Sequence, residues 1–110
     1  MIMFSNCNNI DEVEEEYGYE KRKINKQLEY INELKYQIRR DNEEELDKHQ
    51  YMKDKYEFTS ESTNKLMGIL ENFEAESKDY LKFYENKLEE EKIDLKKAYK
   101  SKLESIQDQN

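Results

Sequence analysis

The sequence predicts an all-α fold of two long antiparallel helices forming a helical hairpin, and three observations carry that prediction. Pro is absent and Gly occurs only as Gly18 and Gly68, so little interrupts a long helix. Apolar residues recur at three-, four- and seven-residue spacings, which is helical rather than strand periodicity. Near the midpoint of 110 residues, Thr59, Ser60, Ser62, Thr63 and Asn64 crowd together. Their side chains compete with the helical backbone for hydrogen bonds. That cluster is read as a hinge.

Taken in order, residues 1–8 read as a flexible N-terminus and 9–108 as a single helical hairpin. Helix 1 is expected over about 9–57, a hinge over 58–61, and helix 2 over about 61–107. Asn9 is placed as an N-cap, with Glu12 three residues on as its capping-box partner and Asp11 in the positive first turn. Gly18 costs about 1 kcal/mol relative to Ala inside a helix, which predicts a weak or bent stretch before Lys21. Ile24, Leu28, Ile31 and Ile38 then follow 4-3-7 spacing, a coiled-coil type of seam. Arg39–Asn42 interrupts it, and Asp41 with Glu44 fits the start of a new helix. Leu46, His49, Met52 and Tyr56 resume the spacing, which favours one continuous helix.

Beyond the hinge, Ser60 is expected as the N-cap of helix 2, with Glu61 and Lys65 as an i,i+4 pair. Glu74/Lys78 and Glu44/Lys48 have the same spacing. The second stripe is read as Leu66, Leu70, Phe73, Tyr80, Tyr84, Leu88, Leu95, Tyr99 and Ile106, with Ile69, Leu81, Phe83 and Leu103 beside it. Leu81, Leu88 and Leu95 repeat every seven residues. The near-equal lengths of the two periodic halves support a chain that doubles back. The competing architecture is one unbroken rod that dimerises along its length.

Composition narrows the class further. Apolar residues make up 35% and charged residues 42%, against roughly 45–50% and about 25% in ordinary globular domains. Such a chain suits helices sharing a narrow apolar seam. Nine tyrosines and four phenylalanines are more aromatic surface than one seam holds. Tyr19, Tyr30, Tyr36, Tyr51 and Phe83 fall off the main stripes, where they can face another molecule. The hairpin is therefore expected to complete a bundle with a partner or with a second copy. The interface residues expected for that bundle are Ile24, Leu28, Ile31, Ile38, Leu70, Phe73, Tyr84, Leu88 and Leu95.

The net charge is −8, and residues 1–55 and 56–110 each carry −4. Without a basic face to release counterions, nucleic acid is not an expected partner. An acidic chain can instead imitate DNA and occlude a DNA-binding protein. No stretch approaches the ~18 consecutive apolar residues of a membrane span. The first ten residues lack a positive charge and the apolar run of a signal peptide. A cytoplasmic protein is expected, with any export using a route that needs no cleaved leader.

Chemistry-bearing residues are sparse. His49 is the only histidine and Cys7 the only cysteine, so neither a metal-ligand set nor an internal disulfide is expected. Cys7 lacks an evident activating base. The runs Glu14–Glu16, Glu43–Glu45 and Glu89–Glu91 lack the Asp/Asn/Gly loop chemistry of cation sites and read as solvated helix faces. No glycine-rich phosphate loop or nucleophile elbow occurs. Enzymatic activity, a cofactor and a metal are all unexpected.

Leu66-Met67-Gly68 lies just past the hinge. A bulky residue, any residue and then Gly near the turn of a helical hairpin resembles the Trp-x-Gly turn of WXG-type substrates of type VII secretion. The length, hairpin, acidity and absence of Pro are similar to that superfamily. More narrowly, the chain resembles the small helical proteins encoded beside LXG toxins. This architectural resemblance covers most of residues 10–106 and makes Ser60, Leu66 and Gly68 the hinge motif. It implies a non-catalytic targeting chaperone that packs along the helical domain of an LXG-like toxin, alone or with a second small helical protein, and assists its export. Leu66 stands where the family has Trp. Tyr99 is followed four residues on by Leu103, with Glu104 one place late for the family's Tyr-x-x-x-Asp/Glu export signal. The resemblance therefore implies a chain that travels with a signal-bearing partner. The alternatives from composition are an acidic phage-type inhibitor of a defence or nucleic-acid-binding protein, and a self-associating structural coiled coil, including a homodimer.

Overall fold

A computed structural model describes residues 3–108 of the chain. It is all-α, with one helix over Ile10–Tyr56 (α1) and a second over Ser60–Asp108 (α2), together forming a helical hairpin. Among the described residues no helix is long and apolar enough to cross a membrane. Helix α1 runs without a break through Gly18 and through Arg39–Asn42. Propensity is a weak prior that tertiary packing overrides, so neither the single glycine nor the polar run ends the helix.

Side chains set both helix starts. At α1, the Glu12 amide donates to Asn9 Oδ1 at 2.9 Å, and Glu12 Oε2 accepts from the Asn8 amide at 2.8 Å. This is a capping box whose return bond reaches one residue further out than usual. At α2 the cap is Thr59, not Ser60 as expected. Thr59 Oγ1 accepts from the Ser62 amide at 3.2 Å, and its carbonyl accepts from the Thr63 amide at 3.2 Å. Ser60 is instead the first helical residue. The turn is thus 57–59 rather than 58–61. Glu57 leaves α1 at a φ of 55°, the left-handed conformation that ends helices and that glycine adopts at least cost.

The chain divides into two compact units, one of residues 1–30 with 84–110 and the other of 31–83. The first holds the larger core. Phe4, Cys7, Val13, Ile24, Leu95 and Ile106 are buried together, with Tyr17, Leu28, Leu88, Ala98, Tyr99 and Leu103 packed against them. Tyr17 and Tyr99 stack with ring centroids 4.1 Å apart, and Phe4 tilts against Tyr99 at 6.3 Å. The flexible end expected over residues 1–8 is corrected here for residues 3–8. The Cys7 amide donates to the Phe4 carbonyl at 3.2 Å, closing a turn. That turn delivers Phe4 and Cys7 onto the core, where apolar burial outweighs the entropy of ordering a short segment. Met1 and Ile2 lie outside the described residues.

The second unit is thinner. Its buried apolar residues are Ile31 and Leu81, and its third buried residue is Asn42. Asn42 donates from Nδ2 to the Leu70 carbonyl at 3.2 Å. His49, half-buried, bonds from Nε2 to Thr63 Oγ1 at 2.9 Å, and the Thr63 hydroxyl donates onward to the Thr59 carbonyl at 3.4 Å. These two pairs run antiparallel, one heptad apart on each helix. Lys35 lies a further heptad before Asn42 on the same face and is half-buried. A polar layer therefore recurs every seven residues within this seam, and what read as a gap at Arg39–Asn42 is one of those layers.

Two substitutions separate these contributions. Phe4 is 1% exposed, so Phe4→Ala should cost about 3–5 kcal/mol in urea unfolding. A Cβ at Gly68 meets nothing within 4 Å, so Gly68→Ala should raise stability by about 1 kcal/mol.

Candidate partner interface

The residues expected to form the partner seam do not share one environment. Ile24, Ile31 and Leu95 are buried within the chain, and Leu28, Ile38, Leu70 and Leu88 are half-buried. Phe73 and Tyr84 are exposed, as is Tyr80. The stripe read for α2 thus mixes two faces. Leu70, Leu81, Leu88, Leu95 and Ile106 point inward, joined by half-buried Glu74, Ser77, Glu85 and Lys92. The inward face follows the Leu81, Leu88, Leu95 heptad. Of the hinge motif, Leu66 and Gly68 are half-buried and Ser60 is exposed.

Within the second unit, the outward apolar face of α2 consists of Ile69, Phe73, Tyr80 and Phe83, exposed by 65%, 53%, 63% and 64%. At about 100° per residue these four fall within roughly 80° of arc, about a quarter turn from the inward Leu70 and Leu81. Three of the four carry no polar atom in the side chain. Two exposed tyrosines of α1 in this unit have cations over their rings. Arg40 lies over the Tyr36 ring at 5.9 Å and Lys55 over the Tyr51 ring at 5.8 Å. Each ring also keeps a hydroxyl in water, which lowers the cost of its exposure. Burying an aliphatic or Phe side chain contributes roughly 1.5–3 kcal/mol, so covering the exposed Ile69, Phe73 and Phe83 would bring a substantial gain.

Three ion pairs of this unit each lie within one helix. Glu61 pairs with Lys65 at 3.5 Å and Glu74 with Lys78 at 3.2 Å, both i,i+4. Lys48 pairs with Glu45 at 3.5 Å rather than with the expected Glu44. The exposed Glu61/Lys65 and Glu45/Lys48 pairs contribute little to stability.

The first unit carries a hollow of about 380 Å³, floored by Phe4, Ile24 and Leu95 and rimmed mainly by Glu16, Glu20, Glu91 and Asp94. Neither Cys7 nor any histidine lines it. Among the described residues, no group of His, Cys, Asp and Glu is placed to hold a metal ion. No family model matches the chain, and no match was found among curated proteins or solved structures.

Cys7 is held as a thiol. Its Sγ donates to Glu16 Oε2 at 2.8 Å. That bond, burial and the nearby carboxylates of Glu16 and Glu12 push its pKa from 9.0 up to about 11, against a smaller opposing pull from Lys102. A thiol that ionises so late is a poor nucleophile at neutral pH. Sequence reasoning missed Phe4, Cys7 and Val13 as core residues, and missed Asn42 as a seam residue. A signal existed for Val13, which precedes Tyr17 by four residues and Ile24 by eleven, in phase with the seam. None existed for the turn that brings Phe4 and Cys7 back.

Because the folded-state pKa of Cys7 is raised, its contribution to stability is complete below pH 9 and is lost as pH rises from about 9 to about 11. Alkylation of Cys7 at pH 8 should be more than about tenfold slower in the native chain than in urea. Glu16→Ala should remove most of that difference.

Proposed function

We propose that the chain is a non-catalytic helical partner that binds the helical domain of an LXG-like type VII secretion toxin and assists its export. The observation that supports this reading is the balance of apolar surface. Eight apolar residues are buried, while sixteen large apolar residues of the described chain are more than a third exposed. A two-helix hairpin has one internal seam. Side chains that do not fit it lose their hydrophobic gain unless another molecule covers them. Helices are natural covers for a helical face, and a four-helix arrangement supplies the second layer that a hairpin lacks. The toxin as the particular partner comes from the resemblance carried by Leu66-Met67-Gly68, the hairpin and the acidity.

The interface of such a complex would differ from the seam expected from sequence alone. Ile24, Ile31 and Leu95 hold the hairpin itself, so a charge placed there would unfold the chain before it tested binding. The informative positions are the exposed ones. An acidic inhibitor of a nucleic-acid-binding protein would be held by charge instead, and its binding would fall steeply with salt.

The test is co-expression with the helical N-terminal domain of an LXG toxin. The expected result is a complex that survives high salt. Ile69→Asp with Phe83→Asp should abolish it while the circular dichroism of the isolated chain stays unchanged. No complex, or one unaffected by the double substitution and dissociated by salt, would overturn the reading.

A further inference from the structure

On the outward face of α2, Glu76 lies between Phe73 and Tyr80. With it, the series Ile69, Phe73, Glu76, Tyr80, Phe83 is spaced 4-3-4-3. That is the spacing of a coiled-coil seam, which accepts side chains from one facing helix and matches neither a strand nor an irregular loop. All five residues are exposed and lie in the same compact unit. We propose that Ile69, Phe73, Glu76, Tyr80 and Phe83 form a docking seam for a single α-helix of a different protein, which sets a lysine or arginine opposite Glu76.

The charge at the centre selects the occupant. A covered carboxylate needs a partner of opposite sign. The helical neighbours of Glu76, three and four residues away, are Asn72, Phe73, Asp79 and Tyr80, none of them basic. A second copy that pairs this stripe with itself about Glu76 does not supply the base either. Laid parallel and in register, it sets Glu76 against Glu76. Laid antiparallel about the midpoint of the stripe, it brings the two Glu76 side chains next to each other. Either pairing also joins two chains of net charge −8, which adds repulsion. A foreign helix with apolar residues at the matching 4-3-4 spacing and a central base satisfies both the apolar positions and Glu76. Single charged positions within an otherwise apolar seam also set register and partner choice.

The inference rests on the reading of the chain as one side of a mixed helical bundle, and the two fail separately. A stable homodimer in sedimentation equilibrium would remove the mixed bundle and, with it, the foreign helix. A chain that binds the toxin domain yet shows no dependence on Glu76 would remove only the present inference.

The experiment uses the full chain and two synthetic amphipathic helical peptides. Both carry Leu at the facing seam positions, and they differ only in a central Lys or a central Glu. Binding is followed by fluorescence anisotropy. The Lys peptide should bind at least about tenfold more tightly than the Glu peptide. Glu76→Lys should invert that preference, and Phe73→Asp should abolish binding of both with helicity unchanged. Equal affinities, no binding of either peptide, or a preference that survives Glu76→Lys would overturn the proposal.

Discussion

A two-helix hairpin has one seam, and this chain has more apolar side chains than one seam holds. Everything else in the structure follows from how that mismatch is distributed. In the unit formed by the two chain ends, the N-terminal turn supplies a third element. Phe4 and Cys7 close over Val13, Ile24, Leu95 and Ile106, and the stacked Tyr17 and Tyr99 complete the packing. In the unit of residues 31–83 no third element is present. Its seam is narrow, with Ile31 and Leu81 as its buried apolar residues. Ile69, Phe73, Tyr80 and Phe83 lie on another face.

The polar layers of that second unit bear on specificity more than on strength. A side-chain amide donating to a backbone carbonyl, as Asn42 does to Leu70, contributes about 1 kcal/mol net. Losing the pairing would leave a buried amide unsatisfied, at a cost of about 1–3 kcal/mol. A register slip that parts Asn42 from Leu70 also parts His49 from Thr63, so the two layers reinforce one alignment of the helices. Apolar side chains slide past one another more readily, because their attraction is not directional. The seam therefore holds a defined register with modest burial, and the bulk of the aromatic side chains remains outside.

The helices and their reversal were legible in the sequence. The absence of Pro, the seven-residue repeats and the polar cluster at 59–64 are local signals, and local signals decide secondary structure in so polar a chain. The Asn9 cap was legible for the same reason, since capping depends on residues within one turn. The choice of face on α2 was not. Its apolar residues occupy two faces about a quarter turn apart, and helical spacing accepts either Phe73-Tyr80-Tyr84 or Leu70-Leu81-Leu88 as the inner stripe. Only the opposite helix decides, and it selects the leucines. Asn42 was misread as part of a gap because a polar residue in a seam looks, in sequence, like an interruption. Phe4 and Cys7 were beyond reach because a chain reversal with Phe4 at a φ of 64° leaves no periodic trace.

If the outer face of α2 awaits a different protein, the purified chain should be a monomer whose stability does not depend on its own concentration. Thermal unfolding followed by circular dichroism at two concentrations about a hundredfold apart tests this directly, since self-association raises Tm with concentration. The same Tm is expected at both. A Tm several degrees higher in the concentrated sample would show that the chain self-associates, and would contradict that expectation.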